Sequence, residues 1–146
     1  MGQGTSWPSH AYIPGKTARH AEDAFDHLRA TAAPDLDASQ LSQSAAFLVG
    51  LDYLRAGYYW EAHELFEPVW MVLPNPSRER AFVQGLIQIA NGFLKLKMDR
   101  PKAADRLERI ARTLINSAGT GAVMGIKQQD VLEMLDSLKG RIADAI

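Results

Sequence analysis

From Phe82 to Leu96 the chain reads Phe-Val-Gln-Gly-Leu-Ile-Gln-Ile-Ala-Asn-Gly-Phe-Leu-Lys-Leu, a segment apolar almost all the way round a helix. A helix of that kind must be enclosed by other elements, so it sits at the centre of a fold whose neighbours supply the cover. Ala81 to Leu94 is free of charge but too short to cross a bilayer and is interrupted by Gln84, Gln88 and Asn91. No stretch alternates with period two over a useful length. The expected fold is therefore all-α: a single-domain helical bundle of five to seven helices with short connections. With 146 residues the chain can bury one real core.

Punctuation residues place the elements. Residues 1–17 carry Pro8, Pro14 and several glycines and read as an extended N-terminal arm, leaving 18–146 as the helical domain. Ala18 to Thr31 reads as helical, with Phe25 and Leu28 as its apolar edge, until Pro34. Asp37 caps a short helix through Gln43. Ser44 caps a second, Ala45 to Ala56, with Gly57 at the left-handed position after its end. An aromatic helix follows from Tyr58 to about Met71, with a kink or early end expected at Pro68. Asn75 and Pro76 look like the cap and first residue of the central helix, which runs to about Met98. Asp99 and Pro101 open another through Asn116. Ser117 to Gly125 reads as a flexible glycine-rich loop. It follows a helix and lacks the Lys-Ser/Thr ending of a phosphate loop. Lys127 to Ala143 is a last amphipathic helix with Val131, Leu132, Leu135 and Leu138 inward.

Composition removes several functions. Sixteen basic against seventeen acidic residues give no electrostatic footprint for nucleic acid, and there is no charge block. The absence of cysteine excludes disulfides, thiolate metal sites and a cysteine nucleophile, so a metal would need His and carboxylate ligands. The start lacks the basic and apolar regions of a secretory signal, and the expected location is the cytoplasm. Gly2 and Ser6 satisfy the loose myristoylation pattern, which we read as an ordinary start.

Chemistry concentrates in the aromatic helix, Tyr58-Tyr59-Trp60-Glu61-Ala62-His63-Glu64-Leu65-Phe66-Glu67-Pro68-Val69-Trp70. With His63 at the origin of a helical wheel, Glu67 falls at about 40°, Trp70 at about -20°, Tyr59 at about -40° and Trp60 at about 60°. His63 and Glu67 then lie in the middle of the aromatic face, while Glu61, at about 160°, and Glu64, at about 100°, point away or to the flank. A His and a carboxylate one turn apart form either a hydrogen-bonded core pair or part of an acid–base or metal site. The string His63-Glu64-x-x-Glu67 is close to the zinc-protease signature but has Glu for the second His, and Pro68 follows. On the central helix Gln84, Gln88, Asn91 and Lys95 form one narrow stripe flanked by Gly85 and Gly92. If it faces inward, Lys95 pairs with Glu67 and the amides satisfy His63.

These two motifs, Gly57 to Trp70 and Gly85-Leu86-Ile87-Gln88-Ile89-Ala90, resemble the domain of unknown function 309 family over roughly Phe47 to Leu114. The family consists of small all-helical bacterial proteins described as predicted metal-dependent hydrolases. Tyr12 to Glu22 is similar to an arm found on some alphaproteobacterial members. The resemblance implies Glu61, His63, Glu64, Glu67 and Trp70 as site residues from the first motif, and Gln84, Gly85 and Gln88 from the second. The chain departs from the family where many members carry a His followed by Gly-Asn: here stand Lys95 and then Asp99-Arg100. Lys95 beside Glu67 would replace a metal's charge, and only His20 remains to complete a set with His63 and Glu67 for a divalent metal such as zinc. His10 and His27 read as surface residues.

Three functions follow as expectations. The first is a protein with a buried polar pocket around His63, Glu67, Gln88 and Lys95 that binds a small ligand, with Glu61, Trp60, Trp70, Gln84 and Asn91 around it. The second is a metal-dependent hydrolase with Glu67 or Glu64 as base and His63 as ligand or acid. The third is a protein-interaction module, because Leu54 to Ala62 with Phe66 and Pro68 resembles a tetratricopeptide helix hairpin, weakly repeated over Ala90 to Leu114. The partner is a small molecule or a protein, a second copy of the chain included, with neither nucleic acid nor membrane.

Overall fold

Local capping builds the frame, and the computed structural model describes it for residues 5–146. Gly2, half of the myristoylation pattern, lies outside those residues. Seven helices are present among them, with one two-stranded hairpin. Residues 5–21 form neither helix nor strand. The helix expected over Ala18 to Thr31 is confined to α1, Asp26–Arg29, preceded by turns. Its apolar edge of two residues was too small to hold a longer amphipathic helix. Asp37 forms a capping box with Gln40 at the start of α2, Ala38–Leu41. Ser44 accepts from the Phe47 N–H and opens α3, Ala45–Ala56, which ends on Gly57 at φ 92°.

The aromatic helix α4 spans Tyr59–Val72 and continues through Pro68. Ser77, rather than Asn75, caps α5, Arg78–Lys97: its hydroxyl accepts from the Arg80 N–H. Asn75-Pro76 is a cis peptide in the preceding turn. Pro101 sits at the start of α6, Pro101–Ser117. The glycine-rich segment is not a plain loop. It forms β1, Ala122–Val123, and β2, Ile126–Lys127, antiparallel with Ala122 opposite Lys127 and Val123 opposite Ile126. Val123 and Met124 are buried, so this short hairpin is held by packing that no period-two pattern of such length could announce. The helix α7, Gln128–Ala145, closes the chain, with Val131, Leu135, Leu138 and Ile142 inward and Leu132 only partly covered.

The central position of α5 follows from its apolar girth. It packs on α4, α6 and α7, with Phe82, Val83, Leu86, Ile89 and Ala90 fully buried. Small residues set the close approaches. A Cβ on Gly85 would lie 2.5 Å from Ile115 Cδ1 of α6, and one on Gly92 would lie 2.8 Å from Leu138 Cδ2 of α7. Gly50 of α3 likewise leaves room for the Phe66 ring of α4. These gaps are filled by neighbouring helices. Arg112 donates to Glu108 Oε2 at 2.8 Å and to Asp136 Oδ1 at 3.1 Å, tying α6 to α7. No helix among the described residues is long and apolar enough to cross a membrane.

Candidate functional site

Helix α4 is covered on two sides, and this decides which of its polar groups are buried. One side, Ala62, Leu65, Phe66 and Val69, is fully buried in the core. The other lies beneath the N-terminal segment. Trp7 packs on Tyr53 and Tyr58, with ring centroids 5.7 and 5.6 Å apart, and Tyr12 stands edge-on to Trp60 at 5.1 Å. Polar bonds fasten the same segment. Thr5 donates to Asp52 Oδ2 at 2.5 Å, and the Tyr53 hydroxyl donates to the Ser6 carbonyl at 2.6 Å.

Glu61 is the polar centre of this arrangement, although the wheel pointed it away from the buried face. It is 0% exposed. Its Oε2 accepts from the Tyr12 backbone N–H at 2.7 Å and bonds His20 Nε2 at 2.6 Å. Its Oε1 is buried with no partner. The wheel erred because aromatic residues lie on more than one side of α4, and the aliphatic residues mark its core side. Burial, and then the nearby Glu61 carboxylate and Tyr58, push the Tyr53 hydroxyl above the usual tyrosine range.

His20 is fixed on three sides. Its ring stacks on His10 at 4.6 Å and meets the Phe25 edge at 5.1 Å, while Nε2 faces Glu61. His10 is thus not a plain surface residue: it is partly buried, with Nε2 bonded to the Ala18 carbonyl at 2.6 Å and Nδ1 to Ser9 at 2.9 Å. His27 is exposed.

A second polar cluster lies on the flank of α4. His63 Nε2 is 3.4 Å from Glu67 Oε2, and His63 Nδ1 is 3.6 Å from Glu64 Oε2. Arg29 of α1 approaches both carboxylates, at 3.7 Å from Glu64 and 3.6 Å from Glu67, and donates to the Glu64 carbonyl. The expected Lys95–Glu67 pair is not formed among the described residues; Arg29 holds that place, carried there by a helix the wheel of α5 could not include. The stripe Gln84, Gln88, Asn91 and Lys95 is partly exposed, and none of its members bonds His63 or Glu67 among the described residues. His63 Nδ1 remains buried without a hydrogen bond, so the amides do not satisfy it. Trp60 borders the N-terminal segment. Trp70 lies beneath the Arg80 guanidinium, 4.2 Å from the ring centre, with its own Nε1 buried and unpartnered.

The metal implied by the resemblance does not fit this donor set. His20 is bonded to Glu61, not grouped with His63 and Glu67, and no three His, Asp or Glu among the described residues are placed to hold a metal ion. The two His63 nitrogens face different carboxylates, and one guanidinium, that of Arg29, already lies against both acids.

Between the N-terminal segment, α1 and α4 lies a cleft of about 580 Å³. Tyr12, Phe25 and Trp60 give it aromatic walls, and Arg19, His20 and Arg29 bring cationic or imidazole groups. Glu64 is the one acid of the proposed catalytic trio that borders it; His63 and Glu67 do not. Sequence reasoning missed Tyr12, Arg19, Phe25 and Arg29. The signal available for the first two was their place in the arm-like Tyr12 to Glu22 segment.

The fold and this site define an all-helical protein with a buried carboxylate–imidazole pair under an N-terminal segment. The model of a domain of unknown function, DUF309, matches residues 47–107, and this is the family the two motifs resemble. The match begins in α3 and ends in α6, so it includes Glu61, His63, Glu64 and Glu67 but not Tyr12, Arg19, His20 or Arg29. Neither a curated protein nor a solved structure matches the chain.

Proposed function

We propose that the protein binds a small, flat, polar organic molecule in the cleft between the N-terminal segment and α4. The observation that carries this reading is the cleft itself: about 580 Å³, within the usual range for small-molecule sites, with aromatic walls and a few converging polar groups. Trp60 and Tyr12 supply surfaces for a ring to stack on, and Arg19 supplies a charged donor. Arg19 is exposed and makes no ion pair among the described residues, its guanidinium lying 5.7 Å from the Tyr12 ring centre. The site differs from the pocket expected around His63, Glu67, Gln88 and Lys95, but serves the same kind of ligand. The reading takes residues 1–17 as an arm that completes the site of the domain over 18–146. It places the protein in a bacterial cytoplasm, as the family resemblance suggests.

The test uses a Trp7→Phe, Trp70→Phe variant, in which Trp60 is the remaining tryptophan. Flat polar compounds are screened for saturable changes in its fluorescence. Arg19→Ala is expected to weaken a hit about tenfold, corresponding to loss of one charge-assisted hydrogen bond of about 1.5 kcal/mol. Absence of any saturable hit, or hits indifferent to Arg19→Ala and Tyr12→Ala, would overturn the reading.

A further inference from the structure

We infer that His20 is a proton-accepting group of the cleft, with its tautomer set by Glu61, and that the ligand is a flat ring carrying an O–H or N–H donor. The inference rests on the ligand-binding reading above and gives that ligand its distinguishing chemistry.

The argument starts from hydrogen-bond accounting. An ionised carboxylate only accepts, so whichever ring nitrogen faces it must carry hydrogen. Glu61 Oε2 lies 2.6 Å from His20 Nε2, in a site from which solvent is excluded. Neutral His20 therefore holds its proton on Nε2, and Nδ1 keeps a lone pair. That lone pair has no partner among the described residues: the hydrogen bond of His20 there runs from Nε2. Nor is it sealed off. The buried polar atoms without partners among the described residues are Glu61 Oε1, His63 Nδ1 and Trp70 Nε1, and His20 Nδ1 is not among them. His20 borders the cleft, and Nδ1 is the ring nitrogen left for a ligand there.

The ring cannot readily turn to exchange its nitrogens. His10 stacks on one face at 4.6 Å, and Phe25 stands against it edge-on at 5.1 Å. Glu61 is itself held by the Tyr12 N–H at 2.7 Å. The set has the logic of a carboxylate that orients an imidazole so that its far nitrogen can take a proton. Glu61 is a positioning residue here. Arg19 and Arg29 only donate, and Glu22, Asp26 and Glu64 on the same cleft accept as carboxylates; His20 adds an imidazole acceptor beside the aromatic walls, and its orientation is fixed by Glu61.

Two measurements on the full chain test this. Long-range nitrogen–proton NMR of labelled protein at pH 8 reads the tautomer directly. The expected result is a protonated Nε2 and an unprotonated Nδ1 in the wild type. Glu61→Gln, whose amide oxygen can accept the same two bonds, should keep that tautomer, and Glu61→Leu should lose the preference. Phenol and anisole, the same ring with and without a donor, are then titrated and followed at His20 Nδ1 and the Trp60 indole. Phenol should bind at least about tenfold more tightly, and only phenol should shift Nδ1. An Nδ1–H tautomer in the wild type would overturn the inference. Equal binding of the two probes at Trp60 would overturn it while leaving the cleft reading intact, and binding of neither would overturn both.

Discussion

Replacing Glu61 by Ala tests whether one buried carboxylate holds the N-terminal segment on the helices. The side chain accepts from the Tyr12 N–H at 2.7 Å and from His20 at 2.6 Å, and it is 0% exposed. Each bond to a charged group contributes about 1.5–3 kcal/mol, so the pair gives about 3–6 kcal/mol before offsets. Two offsets apply. Removing the carboxylate also removes the cost of burying it, including the unpartnered Oε1. The segment can also lift away and hydrate its freed donors, which caps the loss at its own docking energy. A net loss near 3 kcal/mol is expected, equivalent to about 150-fold in local opening. The assay is native-state hydrogen exchange read at the Tyr12 amide. Exchange there should accelerate by about two orders of magnitude, while amides of α5 change little, because opening is local. Glu61→Gln should stay within about tenfold of wild type. Unchanged Tyr12 exchange in Glu61→Ala would refute the reasoning, because aromatic contacts alone would then hold the segment. Equal acceleration throughout α5 would also refute it, since Glu61 would then support the whole fold.

Three further outcomes follow from other contacts. The raised Tyr53 hydroxyl stays protonated in the folded chain after the unfolded chain begins to ionise near pH 10. Its contribution to stability is therefore complete below that pH and lost as pH rises above it. Denaturant titrations should show Tyr53→Phe to be less sensitive than wild type over that alkaline range, and identical slopes would contradict the assignment. Gly85→Ala would place a Cβ 2.5 Å from fully buried Ile115, so overpacking of about 1–3 kcal/mol outweighs a helix gain of about 1 kcal/mol. Gly140, with nothing within 4 Å of its Cβ position, should instead gain stability as Ala, so melting temperatures should move in opposite directions by about 2–4 °C. Zinc or chelator should leave the melting temperature within error, because Arg29 lies against both Glu64 and Glu67 and no three His, Asp or Glu among the described residues are placed to hold a metal; a zinc-dependent rise abolished by His63→Ala would refute that account of the donor set.

Much of the frame is legible in the chain. Ser44 and Gly57 mark the ends of α3 because a side-chain oxygen and a left-handed backbone have local causes. The girth of α5 announces its central place for the same kind of reason, and the family motifs lie inside the segment that the family model matches. Three features escape local reading. The β1–β2 hairpin is too short to show alternation. Ser77 took the cap from Asn75 because competing capping residues lie two apart, and sequence does not rank them. The third is the segment before α1, whose structure comes from what it covers rather than from its own propensities.

That third case explains why the site was misplaced on the right helix. A helical wheel assumes one buried face, and on that assumption a helix dense in acids and aromatics must hide His63 or Glu67. Helix α4 instead has a core face and a face under the N-terminal segment. A carboxylate can be fully buried beneath a coil because unpaired coil amides, such as that of Tyr12, must donate to something. The two partners that make Glu61 tolerable, Tyr12 and His20, lie 49 and 41 residues away in sequence. No periodicity within α4 can encode partners at that distance. What the sequence does carry is the matching pair of oddities, an acid-rich aromatic helix and a coil rich in His and aromatic residues, and each lacks a physical rationale until the other is laid against it.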